Sequence, residues 1–114
     1  MKTESKNSLR DRYMRILVFF DLPVLTKKER KHASKFRIFL KQQGFHMLQL
    51  SVYSRICKGL DEVYKHTKRI SDTLPPKGSV RLLDVTDTQY GRMQLLLGSP
   101  KKEESLGSQQ LLLF

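Results

Sequence analysis

The nine residues Tyr13–Asp21, reading YMRILVFFD, constrain this chain more than any other stretch. They are rich in β-branched and aromatic side chains and are followed by Leu22-Pro23, the pattern of a strand ending in a turn. Their apolar residues do not alternate with polar ones. Successive side chains of an extended chain point to opposite faces, so Ile16, Val18 and Phe20 point one way and Leu17 and Phe19 the other. A strand apolar on both faces needs a cover on both. The chain has 114 residues, the size of one modest domain, so its own helices can cover only one side. The other cover is expected to be a second copy of the chain, which also suits a domain too small to bury much surface alone.

The remaining elements follow from period and punctuation. Thr26–Gln43 is predicted to be a helix: Thr26 and Glu29 form a capping box, Ala33, Phe36, Phe39 and Leu40 recur at helical spacing, and Gly44 supplies the left-handed stop. Phe45–Gln49 and Ser51–Ile56 read as two strands, the second with Val52 and Ile56 opposed to Tyr53 and Arg55. Leu60, Val63, Thr67, Ile70 and Leu74 mark a second amphipathic helix, stopped by Pro75-Pro76 and Gly78. Ser79–Thr86 is a fourth strand, and Arg92–Leu97 is expected to be a short fifth one. The order strand, helix, strand, strand, helix, strand is that of an α+β, ferredoxin-like βαββαβ sandwich. Right-handed crossovers place both helices on one sheet face and leave the other bare, the same demand that the first strand makes. The organisation expected is a polar tail over 1–12, the domain over 13–97, and a linker with an apolar LLLF tail over 98–114. Arg92–Leu97 is expected to add to a sheet edge of the dimer partner.

Charge limits the function. Lys and Arg number 22 against 11 Asp and Glu, a formal net charge of +11, and a domain this basic attracts polyanions. The first helix carries seven basic residues against Glu29 alone. Lys27, Lys31 and Lys35 form one line, with Lys28, Arg30, Arg37 and Lys41 around it. Arg10, Arg12, Lys77 and Arg81 are further candidates for phosphate contact, which positions a duplex without reading its sequence. Nucleic acid is preferred over a membrane surface because the apolar face of the first helix has a use as core. No apolar run approaches the length that spans a bilayer. The single cysteine, Cys57, excludes an internal disulfide and a multi-cysteine zinc site and reads as a buried strand-end residue. With no leader-like apolar stretch in 1–12, the expected location is cytoplasmic.

Asp21 is the candidate for chemistry. A carboxylate ending an apolar strand must be hydrated, paired or metal-bound. If two copies pack across the bare sheet face, two Asp21 carboxylates can meet near the twofold axis and hold one Mg2+ that activates water for phosphodiester cleavage. The plainer alternative is that Asp21 caps the turn through the amides around Leu22–Leu25. His32, His46 and His66 fall on different elements without ligand spacing, and His32 and His66 read as surface or partly buried residues. Asp87 reads as a turn residue. No segment matches the RNP pattern of single-strand RNA readers.

Three segments together, RILVFFDLP (Arg15–Pro23), LQLSVYSR (Leu48–Arg55) and KGSVRLLDVTDTQYGRM (Lys77–Met93), resemble the Cas-two family of small CRISPR-associated adaptation proteins, in the wording found beside type II systems. The resemblance implies a homodimer whose C-terminal strand crosses to the other protomer. It also implies partnership with the CRISPR integrase, the dimer bridging two integrase dimers and helping to hold a prespacer DNA duplex. Some family members are metal-dependent nucleases on RNA or DNA, and for that activity the matching positions are Asp21, Phe20 and Tyr53. Phe20 stands where nuclease-active relatives often carry Tyr, and Met47 where some carry Arg. The leading expectation is a scaffold of spacer acquisition. The alternatives are a Mg2+-dependent endonuclease built on the Asp21 pair and a toxin-like ribonuclease of related fold.

Overall fold

The computed structural model describes residues 12–99. β1 (Tyr13–Asp21) is the centre of the molecule, paired antiparallel with β3 (Val52–Lys58) on one side and with β4 (Ser79–Thr86) on the other. β2 (His46–Gln49) pairs antiparallel with β3 and completes a four-stranded sheet of order β2-β3-β1-β4. Helix α1 (Lys27–Gln42) crosses from β1 to β2, and α2 (Gly59–Ser71) from β3 to β4. This is the ferredoxin-like arrangement that the order of elements predicts.

One core lies between the helices and one sheet face. Ile16, Val18 and Phe20 of β1 pack there with Tyr53 and Cys57 of β3, Phe36 and Leu40 of α1, and Val63 and Ile70 of α2. Phe20 meets Phe36 edge-on, with ring centroids 5.3 Å apart. α1 starts where the capping box places it: the Thr26 hydroxyl accepts from the Glu29 amide, and Glu29 accepts from the Thr26 amide. It ends before Gly44, whose φ of 87° a side chain would resist. Cys57 is buried, as its strand-end position predicts, and burial pushes its thiol pKa up.

Three expectations need correction. Within the single chain no strand forms over Arg92–Leu97; the chain instead closes β4 with a helical turn, α3 (Asp87–Tyr90), and Met93, Leu95, Leu96 and Leu97 remain exposed. The physical reason is a second capping box. The Thr86 hydroxyl accepts from the Gln89 amide and the Gln89 side chain accepts from the Thr86 amide, turning the chain over the sheet and away from β4. Consequently the second sheet face is not wholly bare, because α3 lies against β1 and β4 at one end of it. Finally, α2 buries Gly59, Val63, His66 and Ile70, not Thr67 or Leu74. His66 is therefore a core residue. The linker beyond Ser99, the LLLF tail and Arg10 lie outside the described residues.

Candidate nucleic-acid interface and the Asp21 corner

On α1 the apolar stripe faces the sheet, so the remaining positions face solvent and carry the charge. Lys27, Lys28, Lys31, Lys35 and Lys41 are exposed and make no hydrogen bond or ion pair among the described residues. Two other members of the predicted patch are committed elsewhere. Arg30 donates to the carbonyls of Val24 and Leu25 at 3.1 and 2.9 Å and so braces the loop entering the helix. Arg37 is half-buried, its guanidinium 5.5 Å from the centre of the Phe20 ring. Lys77 joins the patch from the loop before β4, and its charge reaches Glu29. That carboxyl is held below its usual range chiefly by the Thr26 amide, then by the Leu25 amide and Lys77. Arg12 is exposed at the start of β1, and Arg81 is exposed opposite Phe19, on the sheet face turned away from the helices.

Two lysines in the first turn of α1 oppose the helix dipole, a cost of roughly 0.3–1 kcal/mol each at an exposed site. An anion bound there would be favoured by both the lysines and the free amides of the helix start. Five unpaired lysines along one helix, continued by Lys77, form a cationic strip without any carboxylate of their own except Glu29, which the capping box occupies.

Asp21 sits at the end of β1 in register with Ser79. Gly78 fixes this corner: its φ is 102°, and an added Cβ would lie 2.5 Å from the Asp21 carbonyl oxygen. The Asp21 side chain is exposed at a shallow depression shared with Ser51, Ser79 and Arg81. Its carboxylate has no hydrogen-bond partner among the described residues, and the Leu25 amide that a turn cap would use is held by Glu29 at 3.0 Å. Phe20 and Tyr53 lie in the helix-side core with ring centroids 5.6 Å apart, and Tyr53 is 1% exposed. Burial pushes the Tyr53 phenol up, opposed by the charge of Arg37. The two rings pack against each other on the core side of the sheet, and Phe20 also borders the depression at Asp21. Met47, also on the helix side, is paired with Tyr53.

No three of His, Cys, Asp or Glu gather into a metal site among the described residues. One chain offers a hydrated ion a single carboxylate, which fits Mg2+ only when a second Asp21 or substrate phosphate completes the set.

One cluster lies outside the residues expected to form a site. Arg15 is 4% exposed on the second sheet face, and its Nε donates to the Asp87 carboxylate at 2.8 Å. Its guanidinium lies 4.4 Å from the centre of the Tyr90 ring. Asp87 thus does more than turn the chain: it neutralises a buried cation and clamps α3 to β1. The signals were an Arg inside an apolar strand and the T-x-x-Q of Thr86–Gln89. His66 is the second surprise. Both ring nitrogens lack a hydrogen-bond partner among the described residues, and burial, helped by the charges of Arg55, Lys65 and Arg69, lowers its pKa to about 4.

The family model described as CRISPR associated protein Cas2 matches residues 14–93. A protein of Acidovorax ebreus named CRISPR-associated endoribonuclease Cas2 is 47% identical over 102 residues, covering 89% of this chain and 100% of the relative. A protein of the same name from Flavobacterium psychrophilum is 48% identical over 99 residues, covering 87% of this chain and 86% of the relative. A solved structure described as a crystal structure of cas2 superposes with a TM-score of 0.55 at 18% identity, over 79% of this chain and 92% of that one, a likeness of fold. No helix among the described residues is long and apolar enough to cross a membrane.

Proposed function

Since the chain belongs to the CRISPR associated protein Cas2 family, we propose that it acts in spacer acquisition as a dimeric scaffold that bridges integrase dimers and helps to hold prespacer duplex DNA. The observation that carries this reading is the separation of two surfaces. Unpaired lysines of α1 lie on the helix side, and the uncovered side chains of Phe19, Ile56 and Leu83 lie on the opposite sheet face. A dimer closed through the sheet face buries the apolar strip and leaves a cationic strip facing outward on each protomer. Such an object binds one polyanion across two copies, and avidity between the copies multiplies weak phosphate contacts. The test is co-purification with the integrase encoded alongside it, followed by integration of a labelled duplex. Asp21→Ala is expected to leave integration intact, and charge reversal at Lys27, Lys31 and Lys35 to abolish duplex retention. Loss of integration by a folded Asp21→Ala dimer overturns the scaffold reading.

A second reading is favoured by one specific observation, the exposed and unpartnered carboxylate of Asp21. The curated relatives carry the name endoribonuclease. In this reading Asp21 and its copy across the dimer axis hold Mg2+, which when bound supplies a Lewis acid and an activated water. Asp21 would orient the ion, Ser79 and Ser51 would border the phosphate, and Arg81 would offset its charge. Metal-dependent cleavage of RNA or DNA that vanishes in Asp21→Asn supports it; purified dimer giving no products across metals and pH removes it.

A further inference from the structure

Two hollows on the helix side join into one groove. The first, of about 230 Å3, lies between the start of α1 and Pro75-Pro76. The second, of about 460 Å3, continues along α1 past Phe36 and Phe39 to Leu74. His32, Pro75 and Pro76 border both. Ile38 and Leu74 on the border of the second hollow are 56% and 52% exposed, so the chain's own core leaves two aliphatic anchors uncovered there. The proline wall has no N–H groups to offer, so an occupant cannot add as a strand there and must be held through its side chains.

Charge selects the occupant. Lys28, Lys35 and Lys77 border the groove, and its only carboxylate, Glu29, already accepts the Leu25 and Thr26 amides at 3.0 Å each. A phosphate backbone would satisfy the lysines but leave the aliphatic floor in water. A protein segment with apolar side chains and flanking carboxylates satisfies both. We propose that this groove docks a peptide segment of another protein in which two or three apolar anchors are flanked by Asp or Glu. Lys28, Lys35 and Lys77 belong to both the groove and the cationic strip, whereas Lys27, Lys31 and Lys41 border only the strip and Ile38 and Leu74 only the groove, so substitutions of the apolar anchors test this docking apart from DNA binding and from the scaffold reading.

The test is selection of short random peptides displayed on phage against the full-length chain. The selected sequences are expected to converge on Leu, Ile or Phe flanked by acids. A synthetic representative should lose about tenfold in affinity on Ile38→Ser/Leu74→Ser, the loss of a well-buried anchor, while duplex DNA affinity stays unchanged. Both side chains are exposed, so the variant's thermal midpoint should not move. If it does, Lys28→Gln/Lys77→Gln is the second measurement, expected to weaken the acidic peptide and not its Gln-substituted twin. Selection of basic or uncharged sequences, no enrichment over background, or binding that survives the groove variant overturns the proposal.

Discussion

Single residues decide stability here where burial and charge collide. The Arg15–Asp87 pair has one member 5% exposed and the other 26% exposed at the side chain. Removing one partner of a buried pair strands the other, at a cost of about 3–5 kcal/mol when burial is complete. Because Asp87 keeps some solvent, Asp87→Ala is expected to cost about 2–3 kcal/mol in chemical denaturation, with Arg15→Met added to it recovering most of the loss. Equal losses in the single and double variants would show that the pair is not the unit. His66 presents the opposite case, a neutral ring whose two nitrogens find no partner among the described residues. Its pKa falls from 6.5 to about 4. Below about 6.5 the unfolded chain takes up this proton while the folded chain resists until about 4, so stability falls as pH drops through that window and levels off beneath it. The full effect approaches about 3 kcal/mol. His66→Leu should remove that acid dependence and raise the neutral-pH thermal midpoint by several degrees, a gain of about 1 kcal/mol from deleting unsatisfied polar atoms. A midpoint that falls at neutral pH, or a slope between pH 4 and 6.5 that stays, contradicts the assignment.

At the scale of elements, what was legible was what is local. The two-sided apolar pattern of β1, the Thr26–Glu29 box and the stop at Gly44 each depend on residues within one turn or strand, and each stands where the sequence places it. What was not legible depends on distance. Arg15 and Asp87 are 72 residues apart, and nothing local to either marks them as a pair. On α2 the stripe of Leu60, Val63 and Ile70 does meet the core, but Thr67 is exposed, Leu74 lies beyond the helix end, and Gly59 and His66 are buried in addition. The fifth strand was read from the apolar run RMQLLL, but the capping box just before it turns the chain first. At Asp21 the residue was legible and its surroundings were not, since the aromatics matched beside it point into the core. For α1, position in sequence was enough to find the lysine line but not to see that Arg30 and Arg37 are engaged. That distinction is measurable. Each phosphate contact contributes a salt slope of about −0.9 in log K against log salt on duplex DNA. The triple variant Lys27→Ala/Lys31→Ala/Lys35→Ala should therefore flatten the slope by about 2–3, whereas Arg30→Ala should lower thermal stability and leave the slope nearly unchanged. An unchanged slope in the triple variant would remove α1 from the interface.

For the whole molecule the question is how chains of net charge +11 can associate. Like charges repel, but the repulsion is screened over about 8–10 Å at physiological salt. Association is favoured through whichever face keeps the lysines farthest apart. α1 holds its lysines on the helix side, and the far face of the sheet presents Phe19, Val52, Ile56, Leu83 and Val85, with Arg15 neutralised by Asp87 and Arg81 exposed near the Asp21 carboxylate. Packing two such faces together removes apolar surface at roughly 25 cal/mol per Å2 while the cationic helices stay a full sheet-and-helix layer away from the joint on each side. The uncovered part of the face lies around Leu83 and Phe19 and, on β3 beside Arg15, Ile56, because α3 lies against β1 and β4. Leu83 is 52% exposed in the single chain, so replacing it leaves the protomer's own core untouched. The wild-type chain is therefore expected to run as a dimer in sedimentation equilibrium at micromolar concentration, and Leu83→Arg as a folded monomer with an unchanged far-ultraviolet spectrum. The monomeric variant should bind duplex with a shallower salt slope than wild type, since it offers one cationic strip in place of two. If wild type sediments as a monomer, or if Leu83→Arg stays dimeric, the sheet face is not the joint, and the cationic strips, the bridging geometry and the shared Asp21 site lose their common basis.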